Sequence, residues 1–97
     1  MLLDEIIEKL RADKPALDEY GVKAIGVFGS VARGQADPDS DVDIIVDYDP
    51  SVTRGLFGFL GMKEHLEELL GRDVDLVMRS GVHKRLRDRI LGETIYA

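Results

Sequence analysis

The chain has no cysteine, only two histidines and no long apolar run. The lack of cysteine excludes a disulfide framework and a thiolate zinc site, and it fits a reducing compartment. No segment approaches the ~20 apolar residues that a membrane-spanning helix needs. The N-terminal MLLDEIIEKL places acids where a signal peptide has a basic head. We therefore expect a cytoplasmic protein without membrane attachment.

Positive charge is also scarce, because 19 acidic residues outnumber 13 Lys and Arg and leave a net charge of −6. Charge-driven binding of DNA or RNA depends mainly on Lys and Arg that meet phosphates, so we expect no direct nucleic-acid binding. An acidic chain suits a basic partner or divalent cations. Its length of 97 residues has room for one small core, and we predict a single domain over residues 1–97.

Apolar spacing predicts helices that alternate with strands. Helical periodicity predicts a first helix that ends before Pro15, a second from Pro15 to Tyr20, and a long one from Thr53 to Gly71. The predicted buried stripe of the long helix is Leu56, Phe57, Leu60, Leu66, Leu69 and Leu70. The remaining predicted elements are short helices at 30–33 and 82–92, strands at 22–28, 41–48 and 73–78, and an edge strand at 94–97. The first strand is predicted to be buried on both faces. This order predicts an α+β fold with a small mixed sheet of three to four strands and helices mainly on one face.

Two aspartates open the second predicted strand. Because side chains alternate across a strand, Asp41 and Asp43 share one face while Val42 and Ile44 point to the core. Two like charges at the start of a buried strand repel unless a cation neutralises them, although such pairs also occur as plain surface acids. Asp75 recurs on the corresponding face of another strand. Oxygen ligands without cysteine favour Mg²⁺ or Mn²⁺.

Gly29 and Ser30 follow the first predicted strand. Glycine permits close approach of backbone to a ligand, and a serine at a helix start offers a hydroxyl beside unpaired N–H groups; a plain N-cap is the alternative for Ser30. No P-loop or dinucleotide-binding fingerprint occurs in the sequence. A calcium loop starting at Asp37 is excluded, because Val42 would stand where such a loop requires glycine.

Basic residues gather near the C-terminus, at Arg79, His83, Lys84, Arg85, Arg87 and Arg89. Positive charge at a helix start opposes the macrodipole, so we do not expect His83, Lys84 or Arg85 to stabilise the helix. Two alternatives stay open for this cluster. It contacts a partner or a phosphate, or it is a solvated face.

The segment FGSVARGQADPDSDVDIIV resembles the minimal nucleotidyltransferase (MNT) family of the DNA polymerase beta-like superfamily, whose pattern is close to FGSxARGxxxxxSDxDLxV. Ile44 stands where leucine is common, a conservative departure. The likeness extends to the leading helices, to VDLV around Asp75 and to the IxxE-like segment at residues 90–93. It implies the nucleotidyltransferase fold.

The resemblance also implies transfer of AMP from ATP to a hydroxyl with release of pyrophosphate, assisted by two Mg²⁺ or Mn²⁺ ions. It assigns catalytic and metal-binding roles to Asp41, Asp43 and Asp75, and roles in binding the nucleotide phosphates to Gly29, Ser30 and Arg33. For Arg33 two readings stay open: it contacts phosphate, or it braces the loop against Asp37 or Asp39.

MNT family members as short as this chain are similar to the antitoxins of HEPN-MNT toxin-antitoxin pairs, which form a type VII-like system. The resemblance implies a ribonuclease-like HEPN toxin as partner and a tyrosine of that toxin as the acceptor of AMP. The chain lacks an acceptor-binding lobe of its own, which fits an acceptor on a partner protein. The alternatives are a binding-only antitoxin that occludes its partner and a nucleotidyltransferase for a small molecule such as an aminoglycoside.

Overall fold

The computed structural model describes residues 2–49, 51–52 and 55–97. Within these residues, five α-helices alternate with four strands, and one 3-10 helix follows the third strand. The helices are α1 (Leu2–Ala12), α2 (Lys14–Glu19), α3 (Gly29–Ala32), α4 (Gly55–Leu70) and α5 (Lys84–Glu93). The strands are β1 (Val22–Phe28), β2 (Val42–Tyr48), β3 (Val74–Met78) and β4 (Ile95–Tyr96), and the 3-10 helix is Arg79–Gly81.

The predicted order of elements is confirmed, with boundaries that agree to within two residues. The predicted start of the long helix at Thr53 lies outside the described residues. Gly21 ends the second helix with φ of +83°, a backbone conformation that glycine adopts without steric cost. Within the part of the chain that the structure describes, none of the helices has both the length and the apolar character to cross a membrane.

The four strands form one mixed sheet in the order β3-β2-β1-β4. β1 is antiparallel to both β2 and β4, while β2 and β3 are parallel and are connected through α4. The predicted α+β fold with a small mixed sheet is therefore confirmed. Because β1 and β2 are antiparallel neighbours, the end of β1 and the start of β2 lie at the same end of the sheet. The connection between them contains α3.

The core lies on one face of this sheet. Every second residue of β2 is buried there, at Val42, Ile44 and Val46, and α1, α2 and α4 cover them with apolar side chains. Burial of each such side chain contributes about 1.5–3 kcal/mol. The opposite face carries the acids, which confirms the predicted alternation along β2. The prediction that β1 is buried on both faces is correct only for residues 25–27. Val22 is half-buried and Lys23 is exposed.

The predicted buried stripe of α4 is only partly correct. Leu66 and Leu70 are buried, but Phe57 is 88% exposed and Leu60 is 44% exposed. The side chain of the predicted Leu56 lies outside the described residues. Met62, which the prediction omitted, is fully buried. The buried face of α4 is therefore the one that contains Met62, Leu66 and Leu70, which follow one another at intervals of four residues. Apolar residues occur on both faces of the first half of α4, and their spacing alone therefore does not fix which face is buried.

The start of α5 also differs from expectation. His83 is the N-cap residue, and its Nδ1 accepts a hydrogen bond from the Arg85 N–H at 3.3 Å. The expectation that His83 does not stabilise the helix is thus wrong. The His83 ring thereby satisfies one of the N–H groups that are left without a partner at the start of the helix.

Candidate active site

The acidic face of the sheet brings two predicted site residues side by side. Asp43 of β2 is the direct partner of Asp75 in the parallel ladder with β3, and Phe28 of β1 is the partner of Asp43 on its other side. Asp41 immediately precedes β2, and its charge acts on the Asp43 carboxyl. Backbone register therefore places Asp43 and Asp75 side by side, and Asp41 lies at the start of the same strand.

The electrostatics of Asp43 show how close these acids are. Burial raises the pKa of the Asp43 carboxyl above its usual value, and the charges of Asp75 and Asp41 raise that pKa further. Arg33 acts in the opposite direction, and Glu93 adds a smaller upward effect. The ionised cluster is therefore short of positive charge, which is the environment that a divalent cation relieves.

The carboxylates do not converge on one point. Among the described residues, no group of three or more Asp, Glu or His side chains is arranged so that all could hold one metal ion. The donor chemistry still fits a hard cation, because all three groups offer only oxygen. Adjacent strand positions allow the side chains to reach a shared ion by rotation about their own bonds.

Gly29 fits against this cluster in a way that no other residue could. It is buried with φ of +70°, and a Cβ placed there would collide with Oδ2 of Asp43 and lie 3.0 Å from its Cγ. Ser30 is the second residue of α3, whose N-cap is Phe28, so the alternative interpretation of Ser30 as an N-cap is wrong. Among the hydrogen bonds described for the structure, none is made by the Ser30 hydroxyl, and Ser30 is half-buried.

Arg33 has a different partner from those considered in the sequence. Its Nη1 lies 3.2 Å from Oε1 and 3.1 Å from Oε2 of Glu93, and its Nε donates to Gln35 Oε1 at 3.1 Å. Within the described residues, neither Asp37 nor Asp39 pairs with Arg33. No role in this site was assigned to Glu93 from the sequence. The only sequence feature that pointed to this residue was the IxxE-like segment at residues 90–93.

The acids that precede Asp41 shape the turn instead. Oδ1 of Asp37 accepts hydrogen bonds from the Asp39 N–H at 2.9 Å and the Ser40 hydroxyl at 3.1 Å, while Ser40 Oγ accepts from the Asp37 N–H at 3.0 Å. These bonds form a local Asx-type turn that delivers the chain to β2. An open concave space of about 470 Å³ adjoins the turn and includes Asp41, but neither Asp43 nor Asp75 lines it.

Comparisons with known proteins agree on the family. Residues 3–97 match the family model described as a nucleotidyltransferase domain. The protein adenylyltransferase MntA of Thermococcus cleftensis is 46% identical over 99 residues, an alignment that covers 99% of this chain and 96% of that protein.

Two solved structures are similar as well. One is described as a minimal nucleotidyltransferase; it is 41% identical, with a TM-score of 0.74, over 92% of this chain and 93% of that one. The other is a toxin-antitoxin structure with AMP-PNP, which is 26% identical with a TM-score of 0.68 over 96% of this chain and 69% of that one.

Proposed function

Because the chain belongs to the nucleotidyltransferase domain family, we propose that it is a protein adenylyltransferase that acts as an antitoxin. It transfers AMP from ATP to a tyrosine hydroxyl of a HEPN-type toxin and thereby silences that partner. The observation that carries the proposal is the pairing of Asp43 with Asp75 on adjacent strands, directly against the Gly29 turn. The near full-length similarity to a protein adenylyltransferase and the toxin-antitoxin structure with AMP-PNP support it.

The acidic cluster supplies the cation site of this proposal. Asp41 and Asp43 would hold Mg²⁺ or Mn²⁺, and Asp75 would complete the set. When bound, two such ions supply Lewis-acid stabilisation to the attacking and leaving oxygens of an in-line displacement. Burial, followed by the charges of Asp75 and Asp41, raises the pKa of Asp43, and a bound cation would offset this concentration of negative charge.

The remaining residues bind and orient the reactants. Gly29, which lacks a side chain, would let the triphosphate approach the backbone closely, and the Ser30 hydroxyl would donate to a phosphate oxygen. Asp75 accepts the proton of the acceptor hydroxyl at a carboxylate oxygen. A new bond forms between the oxygen of the acceptor hydroxyl and the α-phosphorus, the bond from the α-phosphorus to the oxygen that bridges it to the β-phosphorus breaks, and pyrophosphate leaves with the electron pair.

The decisive experiment incubates the protein with its toxin partner, Mg²⁺ and α-labelled ATP. Wild-type protein should place label on the partner, and the D41N/D43N variant should reduce labelling by at least about 10³-fold, since both cation ligands are weakened. D47N is the matched control: Asp47 lies on the same strand and face but pairs with Arg79 at 3.7 Å, away from the cluster. It should label normally.

The same experiment separates the alternatives. If D41N/D43N still neutralises the toxin while no label appears even with wild-type protein, the chain is a binding-only antitoxin and the enzymatic proposal is wrong. If label appears on an added aminoglycoside and not on the protein partner, the acceptor is a small molecule.

A further inference from the structure

The carboxylate of Glu93 is bound to the nucleotide site although it lies 64 residues beyond Gly29 in the sequence. Oε1 of Glu93 accepts a hydrogen bond from the Gly29 N–H at 3.1 Å. Both carboxylate oxygens also accept from Nη1 of Arg33, at 3.2 and 3.1 Å. The Glu93 side chain therefore contacts both Gly29, the first residue of α3, and Arg33, the first residue after α3.

Glu93 is itself fixed by the backbone that surrounds it. It is the last residue of α5, and the chain continues directly into β4, where Ile95 and Tyr96 pair with Val27 and Gly26 of β1. The Thr94 hydroxyl donates to the Ile90 carbonyl at 2.6 Å. Only 25% of the Glu93 side chain is exposed. An exposed ion pair contributes little to stability, but this carboxylate also accepts a hydrogen bond from the N–H of a buried glycine, and a buried N–H that loses its acceptor is costly.

Glu93 engages the Arg33 guanidinium with both of its carboxylate oxygens. Among the described ion pairs of Arg33, the partner is Glu93 and not one of the carboxylates of the cluster. Without Glu93 the guanidinium would be free to approach Asp43 and would compete with a divalent cation for the carboxylates.

We propose that Glu93 is a positioning residue of the nucleotide site: its carboxylate fixes the Gly29 turn against Asp43 and holds Arg33 away from the catalytic carboxylates. This role rests on the proposed adenylyltransferase function and deepens it. Glu93 acts through Gly29 and Arg33 rather than on the reacting atoms. The opposite role, in which Glu93 occupies the Gly29 N–H and blocks a phosphate, predicts tighter nucleotide binding when Glu93 is removed.

Binding of ATP in the presence of Mg²⁺ to the isolated protein tests the role without any acceptor. We expect E93A to weaken the binding of a fluorescent ATP analogue by about 10- to 100-fold, the range typical of lost positioning groups. E93Q should lose less, because its amide oxygen still accepts from the Gly29 N–H while the charge on Arg33 goes unopposed. The R33A/E93A variant should recover part of the loss of E93A, since the free guanidinium is gone.

A second readout follows the turn directly. In ¹⁵N-labelled protein, hydrogen exchange of the Gly29 amide should be at least about tenfold faster in E93A than in wild type, because that amide loses its acceptor. D88A is the matched control: Asp88 is exposed on the same helix, and its removal deletes one negative charge without touching Gly29 or Arg33. It should change neither nucleotide affinity nor the exchange of Gly29.

The outcomes separate the two proposals. If wild-type protein binds Mg²⁺ and ATP but E93A binds them equally well or more tightly, the positioning role is wrong while the proposed function stands. If wild-type protein binds no ATP, both are wrong. If E93A fails to fold, unchanged nucleotide affinity in the folded E93Q variant overturns the role, because the unopposed charge on Arg33 should weaken binding there.

Discussion

At the scale of single residues, the site depends on how closely Gly29 and Asp43 approach each other. The absence of a Cβ at Gly29 leaves the space that the Asp43 carboxylate occupies. The backbone of Gly29 is also in the left-handed region, with φ of +70°. Glycine is therefore required twice at this position, once for the backbone conformation and once for the contact with the carboxylate.

Gly29→Ala separates these two requirements when it is compared with Gly34→Ala. Gly34 has a similar φ of +72°, but a Cβ there would meet nothing within 4 Å. We expect G34A to lower the free energy of unfolding by about 1 kcal/mol through backbone strain alone. G29A should cost about 1–3 kcal/mol more, because the methyl group displaces the Asp43 carboxylate. Urea denaturation measures both, and equal losses would show that the contact with Asp43 is unimportant.

Asp43 itself should make stability depend on pH. Burial, followed by the charges of Asp75 and Asp41, raises the pKa of Asp43 above its usual 3.8 in the folded protein. A carboxyl with a raised pKa contributes stability below its ordinary pKa and loses that contribution as pH rises through the folded value. At pH 7 without Mg²⁺, D43N should therefore be more stable than wild type. The gain should stay below about 1 kcal/mol, because solvent screens a half-exposed group.

Chemical denaturation at a series of pH values between 3 and 7 measures this effect. The advantage of D43N should shrink as pH falls towards 3, where wild-type Asp43 is protonated. D47N serves as the control, since it removes a carboxylate from the same strand outside the cluster. An advantage of D43N that is independent of pH would show that packing, rather than charge, is responsible.

At the scale of elements, α4 shows how a helix can have two apolar faces and bury only one. Met62, Leu66 and Leu70 lie in the core, whereas Phe57 and Leu60 face outward. Glu67, half-buried on this helix, accepts the Val74 N–H through Oε2 at 3.1 Å and so ties α4 to the first residue of β3. The helix thereby helps to place β3, and with it Asp75, beside β2.

Paired truncations on α4 test this assignment of faces. M62A should lower the free energy of unfolding by about 2–5 kcal/mol, because it leaves a cavity in a fully buried position. F57A should change it by no more than about 0.5 kcal/mol, since the ring is 88% exposed. Both values come from urea unfolding curves followed by circular dichroism. A large loss of stability in F57A would show that the face of α4 that contains Phe57 is buried, as the sequence predicted.

At the scale of the whole molecule, the sheet joins distant segments of the chain at one edge. The end of β1, the starts of β2 and β3, and the junction of α5 with β4 all meet beside Gly29. A single small sheet thereby assembles the candidate site from segments between residues 28 and 93.

The sequence by itself determined the local features of this protein. The period of two along β2 predicted that Asp43 lies opposite the core residues Val42 and Ile44. The Gly29-Ser30 turn and the helix boundaries followed from residue types that act over a few positions. These features depend on contacts between neighbours in the chain. Their prediction required no knowledge of how the elements pack.

Only the tertiary structure decided which distant residues meet. Parallel register sets Asp75 beside Asp43, and the pairing of β4 with β1 delivers Glu93 to Gly29 and Arg33. The buried face of α4 was also settled by packing, because its apolar spacing permits more than one choice. Such contacts depend on sheet order and on crossovers between elements, which residue spacing along the chain does not encode.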